Sequence, residues 1–340
     1  VGGFIMRYVD GPNIRFRDNI VNIKATGLKA WDKYLSKFQV TGNVFNCDGN
    51  GYNNPTTPGC GLQTAVNISD NGQEVLIGNN IFNDCVTAIN LGTDTRYGYR
   101  DVANVVIENN ILNRGDAVCH LYTPMVKIED ISSYSTTSHD SMEVRNVIMR
   151  NNILAYHGTP SKQLGAAIDL AAGHDHDFTN NITIAGNTIR GFYYGIKFTE
   201  AKKSLTVPYP FQLNGVVLKN NILTGVRDAQ LTMSTNGVWI GAGPRGVVSD
   251  HNTFATIDRF RWGGGSKTLA EWRTLTGNDN NSARNSPQLY ADGNGIYRLH
   301  PTDTVARDKG TAISELSADI DGDARPYGSG VDIGADEESG

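Results

Sequence analysis

The sequence predicts an all-β solenoid whose chain winds through about three short strands per turn, and three observations predict it. The phrase VVIENNIL at 105–112 has close relatives: VLIGNNIF from Val75, VIMRNNIL from Val147 and VVLKNNIL from Val216. The template apolar-x-apolar-x-x-Asn-x-apolar, with small drift at its last site, fits eight segments. They start at Ile14, Phe38, Val75, Val105, Val147, Ile182, Val216 and Val247, at spacings of 24, 37, 30, 42, 35, 34 and 31 residues. Repeats of this period mark a solenoid, a propeller or an array. Each phrase alternates apolar and polar residues, a strand signal, and no long helical pattern lies between them. Propeller blades need about 40–45 residues and a recurring Trp-Asp or Gly-His mark, both missing here.

The recurring asparagine then has a physical duty. Equivalent residues in successive coils stack ~4.8 Å apart. A turn asparagine tolerates left-handed backbone angles, and its amide can bond the copies above and below. Asn19, Asn43, Asn80, Asn110, Asn152, Asn187, Asn221 and Asn252 are expected to form an internal ladder. The pattern resembles the right-handed parallel β-helix family, in which such ladders occupy one of the turns. The resemblance covers residues 1–260 and implies a fold; that fold carries many activities.

Composition agrees. The 340 residues are 39% hydrophobic, enough for a large core, and the 38 glycines against 11 prolines suit many short strands and tight turns. A net charge of −5 argues against nucleic acid as a partner. No apolar run approaches the ~20 residues of a membrane span. The opening VGGFIMRYVD lacks the marks of a signal peptide and reads as the interior of a folded unit, so a leader and a cap are expected to have preceded it. Cys47 and Cys60 bracket a Gly/Asn/Pro-rich loop and are the expected disulfide of an exported protein, with Cys85 and Cys119 as buried thiols. None of the cysteine spacings matches a zinc signature.

After Phe254 the pattern stops, and residues 261–340 form a tail. SKTLAEWRTLTG (266–277) predicts a short helix, with Thr268 and Glu271 spaced as a capping box and Gly277 as its stop. With NSPQLYADGNGIYRLHP and DIDGDARPYGSGVDIGADE, the tail resembles one found on exported bacterial β-helix proteins. That resemblance implies that it packs over the last coil and covers the open sheet edge. Asp319, Asp321 and Asp323 resemble a short calcium loop. The other reading makes them carboxylates that hold turns and pair with Arg325.

A second strand follows each ladder phrase: AVNI (65–68), AINL (88–91), VCHL (118–121), AIDL (167–170) and GIKF (195–198). With Ile89, Cys119, Ile168 and Ile196 facing inward, alternation sends Asn67, Asn90, His120, Asp169 and Lys197 outward in one column. Tyr122 and Thr199 stand two residues further along. Connections after this strand supply Arg96, Tyr97, Tyr99, His174, Asp175, His176, Glu200, Lys202 and Lys203 as groove walls. His174 and His176 lack a third metal ligand, so a polar loop is the simpler reading. A surface ion pair between Asp169 and Lys197 is the bland reading of the column itself.

The expected function is cleavage of a polysaccharide, with a lyase acting on a uronate-containing chain by β-elimination placed ahead of a glycoside hydrolase. A lyase needs a base and a cation to stabilise enolate-like charge: Lys197 or His120 as base, Tyr122 as acid, Arg96 on the carboxylate. Asn90, Arg96, Tyr97, Tyr99, His174, His176, Glu200 and Lys202 would bind substrate. A hydrolase would pair Asp169 with Asp116, Asp175 or Glu200. The polygalacturonase combination of paired aspartates, Gly-His-Gly and Arg-Ile-Lys is missing, as is the Tyr-Gly-x-Asp-Pro-His signature of alginate epimerases. A carbohydrate-binding surface protein is the third class. No cofactor is required, calcium at the tail being one of the two readings of its aspartates, and the expected protein is a secreted or surface-exposed monomer.

Overall fold

This computed structural model describes residues 4–7, 11–24, 26–31, 35–48, 63–69, 72–93, 101–116, 123–130, 143–159, 165–172, 178–200, 213–235, 246–262, 265–293 and 296–338. The chain is a right-handed parallel β-helix. Each coil runs through three strands, one in each of three sheets. Sheet A contains Thr64–Ser69, Thr87–Thr93, Val126–Asp130, Ala166–Ala172, Tyr194–Glu200 and Ala229–Thr235 among its strands; sheet B contains Gly72–Gly78, Val102–Glu108, Glu143–Arg150, Phe178–Ala185 and Leu213–Lys219. Sheet C holds the shorter partners, such as Ile81–Asn83, Ile111–Arg114 and Ile153–Tyr156. Neighbouring coils pair in parallel; the last pair of sheet A, Phe260–Trp262 with Gly265–Lys267, and the tail hairpin Leu289–Ala291 with Tyr297–Leu299 are antiparallel. No helix among the described residues is long and apolar enough to cross a membrane.

Alternation places one apolar residue of each coil above its equivalent in the next. Val66, Ile89, Val126, Ile168, Ile196 and Leu231 are in register along sheet A, and all are buried. Val75, Val105, Val147, Ile182 and Val216 do the same in sheet B. β-branched side chains fit such a row because each presents the same stiff shape to its neighbour. In sheet C, Phe45 and Phe82 stack with ring centroids 4.9 Å apart, one coil spacing.

The repeated phrase straddles the corner between sheets B and C, and its two asparagines divide the work. The first residue of the pair takes the left-handed backbone. Asp18, Gly42, Asn79, Asn109, Asn151, Gly186, Asn220 and His251 have φ between 52° and 70°. The second asparagine makes the ladder. The single residue expected to do both therefore does only one. Each ladder amide donates from Nδ2 to the Oδ1 of the next: Asn80 to Asn110 at 3.0 Å, Asn110 to Asn152 at 2.9 Å, Asn152 to Asn187 at 2.9 Å and Asn187 to Asn221 at 3.0 Å. The backbone N–H of each also donates to that same Oδ1, as Asn110 does to Asn152 at 3.0 Å. The second amide proton goes to a backbone carbonyl, for Asn110 that of Ile77 at 2.9 Å. All eight expected asparagines take part, from Asn19 to Asn252.

The ladder ends on the tail. Asn252 donates its backbone N–H to Ser282 Oγ at 2.9 Å and an amide proton to Asp279 Oδ1 at 3.2 Å. Asp279 is fully buried and also accepts from Trp272 Nε1 at 2.8 Å. Helix Leu269–Thr276 carries Trp272; it has the expected capping box between Thr268 and Glu271 and a left-handed Gly277 at φ 72°. The Trp272 ring lies over Phe260 at 5.4 Å and so closes the core of the last coil.

Only the first part of the tail lies over that end. The rest turns back along the side of the coil stack. Thr311 exchanges two hydrogen bonds with the Asn220 side chain, Asn151 Nδ2 donates to the Ala318 carbonyl at 2.7 Å, and Ala335 N–H donates to Thr188 Oγ1 at 3.1 Å. Left-handed Asn151 and Asn220 thus use side-chain amides that the ladder does not need.

The disulfide differs from expectation. Cys47 joins Cys85, with Cα atoms 4.9 Å apart across one coil step. Asn46 pairs with Asn83, so Cys47, one residue on, and Cys85, two residues on, meet at the same corner. Cys60 and Cys119 lie outside the described residues.

Two outcomes follow. Asn110→Leu removes acceptor and donors from neighbours with no water to replace them, so it should cost about 1–3 kcal/mol. Asn90→Ala, on the outer face, should cost much less in the same urea titration. Replacing both Cys47 and Cys85 by alanine opens a loop of 38 residues. The chain-entropy model assigns such a loop about 4 kcal/mol. The loss should appear as a lower melting temperature that reductant does not change further.

Candidate functional site

The outer face of sheet A carries the ionisable column, in a register that departs from expectation at one coil. Asn67 pairs with Asn90, Asn90 with Lys127, Lys127 with Asp169, and Asp169 with Lys197. Thr232 and Arg261 continue the column in the next two coils. The position expected for His120 belongs to Lys127, and the inward position expected for Cys119 belongs to Val126. In this coil the connection from Ile111–Arg114 to sheet A is long, and the strand is Val126–Asp130. VKI has the same apolar-x-apolar alternation as VCHL, so periodicity alone could not choose between them. Two residues along, the row reads Ser69, Gly92, Glu129, Ala171 and Thr199. Glu129 holds the position expected for Tyr122.

Sequence reasoning therefore missed Lys127 and Glu129. The available signal was VKIED itself, which fits the strand template and carries two charges on its outward positions.

Four charged side chains meet here. Lys197 Nζ lies 3.2 Å from Asp169 Oδ2, and Thr199 Oγ1 donates to Asp169 Oδ1 at 2.8 Å. Asp169 is far more enclosed than expected of an outward residue: its side chain is 8% exposed against 27% for Lys197. One coil earlier, Lys127 pairs with Glu129. Burial pushes the Glu129 carboxyl above the usual carboxylate range; Lys127 opposes this and the charge of Asp169 adds to it. Asn90 Nδ2 donates to Asn67 Oδ1 at 3.1 Å, extending a polar row toward the N-terminal coils.

Of the other expected site residues, Arg96, Tyr97, Tyr99, His120, Tyr122, His174, Asp175, His176, Lys202 and Lys203 lie outside the described residues. Glu200 ends strand Tyr194–Glu200, its backbone paired with Ala172 and Thr235. Asp116 is engaged elsewhere, accepting from Tyr156 Oη at 2.5 Å and from Thr159 N–H at 2.7 Å.

The tail carboxylates form a different set from the one expected. Carboxylate oxygens of Asp319, Asp321 and Asp336 lie within 4.8 Å of one another. Asp323 joins only through its backbone, its N–H donating to Asp319 Oδ1 at 2.8 Å. Asp319 also accepts from the N–H groups of Asp321 and Glu337, and Arg298 pairs with Asp321 and Asp336. Arg325 pairs with Glu337 at 3.1 Å and with none of the three expected aspartates. Burial pushes Asp336 up to about 6. These contacts are those of carboxylates that hold turns.

A double-mutant cycle on Asp169→Asn and Lys197→Met measures the central pair. Lys197→Met alone leaves an enclosed carboxylate facing no cation, so the cycle should show coupling of about 1 kcal/mol, reduced by added salt less than an exposed pair would be.

In comparisons with known proteins, no protein-family model matches the sequence, and no curated protein matches it.

Proposed function

We propose that the protein is a polysaccharide-cleaving enzyme that works on the outer face of sheet A, with hydrolysis of a glycosidic bond as its reaction. The observation that carries this is the diagonal placement of Glu129 and Asp169 on adjacent strands, in unlike surroundings. Glycoside hydrolysis needs one carboxyl that keeps its proton and one that has lost it. Burial favours the protonated form of Glu129. Asp169 faces the Lys197 ammonium and the Thr199 hydroxyl, both of which donate to a carboxylate. Diagonal neighbours on adjacent strands stand roughly 7–8 Å apart at their backbones, compatible with the ~5–9.5 Å window of glycosidase carboxyl pairs. Glu129 would protonate the departing oxygen, and Asp169 would activate water or attack the sugar carbon. Lys197 would position Asp169.

β-Elimination, the reaction favoured on sequence, has weaker support on this face. It needs a free base, and both Lys127 and Lys197 are taken up by contacts to Glu129 and Asp169. An exported protein suits the reading, since the Cys47–Cys85 disulfide belongs to an oxidising compartment. A monomer is the state that we propose, with calcium at the tail retained as a condition to vary.

Incubation with a panel of neutral and uronate polysaccharides, with calcium or with chelator, should release reducing ends without the ultraviolet absorbance of an unsaturated sugar. Glu129→Gln and Asp169→Asn should each lower the rate by roughly 10²–10⁴-fold with the melting curve retained. Activity should fall as pH rises through the raised Glu129 value, because the acid then loses its proton. An absorbance gain together with reducing ends would replace hydrolysis by elimination. Binding without either signal would make the protein a carbohydrate binder.

A further inference from the structure

Sheet A carries a second polar cluster, reaching from the coil of Lys197 to two coils beyond it, that the proposed chemistry does not use. Asp228 sits at its centre with a side chain only 4% exposed. Arg259 Nη1 and Arg261 Nη2 both reach Asp228 Oδ1, at 2.6 and 2.8 Å, from side chains 41% and 42% exposed. Burial, with the Asp228 charge, pushes the Tyr194 phenol above the ordinary range. The Arg261 guanidinium lies 5.9 Å from the centre of the Tyr194 ring, and Tyr193 meets Tyr194 edge-on at 4.8 Å. Arg227 completes the row, 5.4 Å over the Tyr193 ring. Both tyrosines are partly open.

Two features of this row point to a ligand. Two guanidinium groups bind one carboxylate and a third, that of Arg227, stands over the neighbouring Tyr193 ring, a local excess of positive charge on a chain whose net charge is −5. Arg227 Nε and Nη2 are shielded from water and have no hydrogen-bond acceptor among the described residues. A shielded guanidinium N–H without an acceptor is costly, and the planar fork suits a carboxylate or sulfate oxygen pair. Asp228 holds Arg259 and Arg261 from below and leaves their other N–H groups for a second anion.

We infer that Arg227, Arg261, Tyr193 and Tyr194 form a binding subsite for an acidic sugar unit, carboxylated or sulfated, of the polysaccharide proposed as substrate. The inference rests on the cleavage reading for its placement. Arg261 stands in the Asp169–Lys197–Thr232 column, so it lies about 14 Å from Asp169 along the helix axis at ~4.8 Å per coil. A sugar held there belongs to a chain crossing the coils, several units from the bond beside Asp169. The arginines would take the anionic group, and the tyrosine rings would pack against the apolar face of the pyranose.

The test measures binding by calorimetry with three probes: tetragalacturonate, a sulfated galactan tetrasaccharide and neutral xylotetraose. The wild-type protein should bind one acidic probe well above the neutral one, with affinity falling as salt is raised; which acidic probe wins separates carboxylate from sulfate. Arg227→Gln should weaken that binding by at least roughly tenfold and leave xylotetraose unchanged. Arg261→Lys keeps a cation opposite Asp228, so it serves as the variant that folds if Arg261→Gln does not; it should weaken the acidic probe too, because an ammonium loses the fork. Equal binding of acidic and neutral probes, or unchanged acidic binding in Arg227→Gln, overturns the inference. Glu129→Gln keeps the two readings apart. If it abolishes cleavage while Arg227→Gln changes neither binding nor rate, the subsite falls and the enzyme stands. If acidic binding is lost in Arg227→Gln while Glu129→Gln cleaves normally, the subsite stands and the assigned chemistry falls.

Discussion

The molecule depends on the burial of an asparagine amide at one corner of every coil. A primary amide in an apolar interior must find partners for two donors and its acceptor oxygen, and isolated in the core it would oppose folding. Stacking resolves this, because the oxygen of one copy accepts from both the side chain and the backbone of the copy before it. The arrangement holds only if coils keep one spacing and one register at that corner. The corner therefore fixes the alignment of all three sheets, including the outer face of sheet A, several residues away along each coil.

Much of this was legible in the sequence, for a physical reason. An internal ladder demands the same residue at the same point of every coil, so it writes a repeat that survives variation in the connections. Asn19 through Asn252 could be listed from spacing alone. The division of labour within the doubled asparagine was not legible, since φ leaves no mark that separates Asn109 from Asn110. The disulfide was missed because Cys47 and Cys60 look adjacent along the chain, whereas coiling brings Cys85, 38 residues on, to the same corner.

The candidate site was legible in kind and wrong at one coil. Asp169, Lys197 and Asn90 stand in the column as alternation requires. His120 was placed there by counting a constant offset, and a longer connection in that coil shifted the strand to Val126–Asp130. Outward positions carry no packing constraint to correct such a slip, so only strand pairing reveals it. The correction changes the chemistry under consideration: it gives the column position to Lys127 and supplies Glu129, a carboxyl whose burial opposes ionisation.

The ladder also has a direction. Every ladder amide sends its backbone N–H and one Nδ2 proton toward the C-terminal coil and keeps the other Nδ2 proton for a backbone carbonyl, as Asn80 does with Val40, so the row of side chains ends in a donor at Asn252. Asp279 and Ser282 offer oxygens there, and Asp279 is held in turn by Trp272. The closure at Asp279 and Ser282 consequently reads the last amide, while the later tail bonds to Asn151, Thr188 and Asn220 on the coils before it. Such a molecule behaves like a polymer with a fixed end group and an unspecified degree of polymerisation. Whole coils can be gained or lost ahead of the one that carries Asn151 without any change to the chemistry that stops the chain, and the length of the working face can vary independently of its closure.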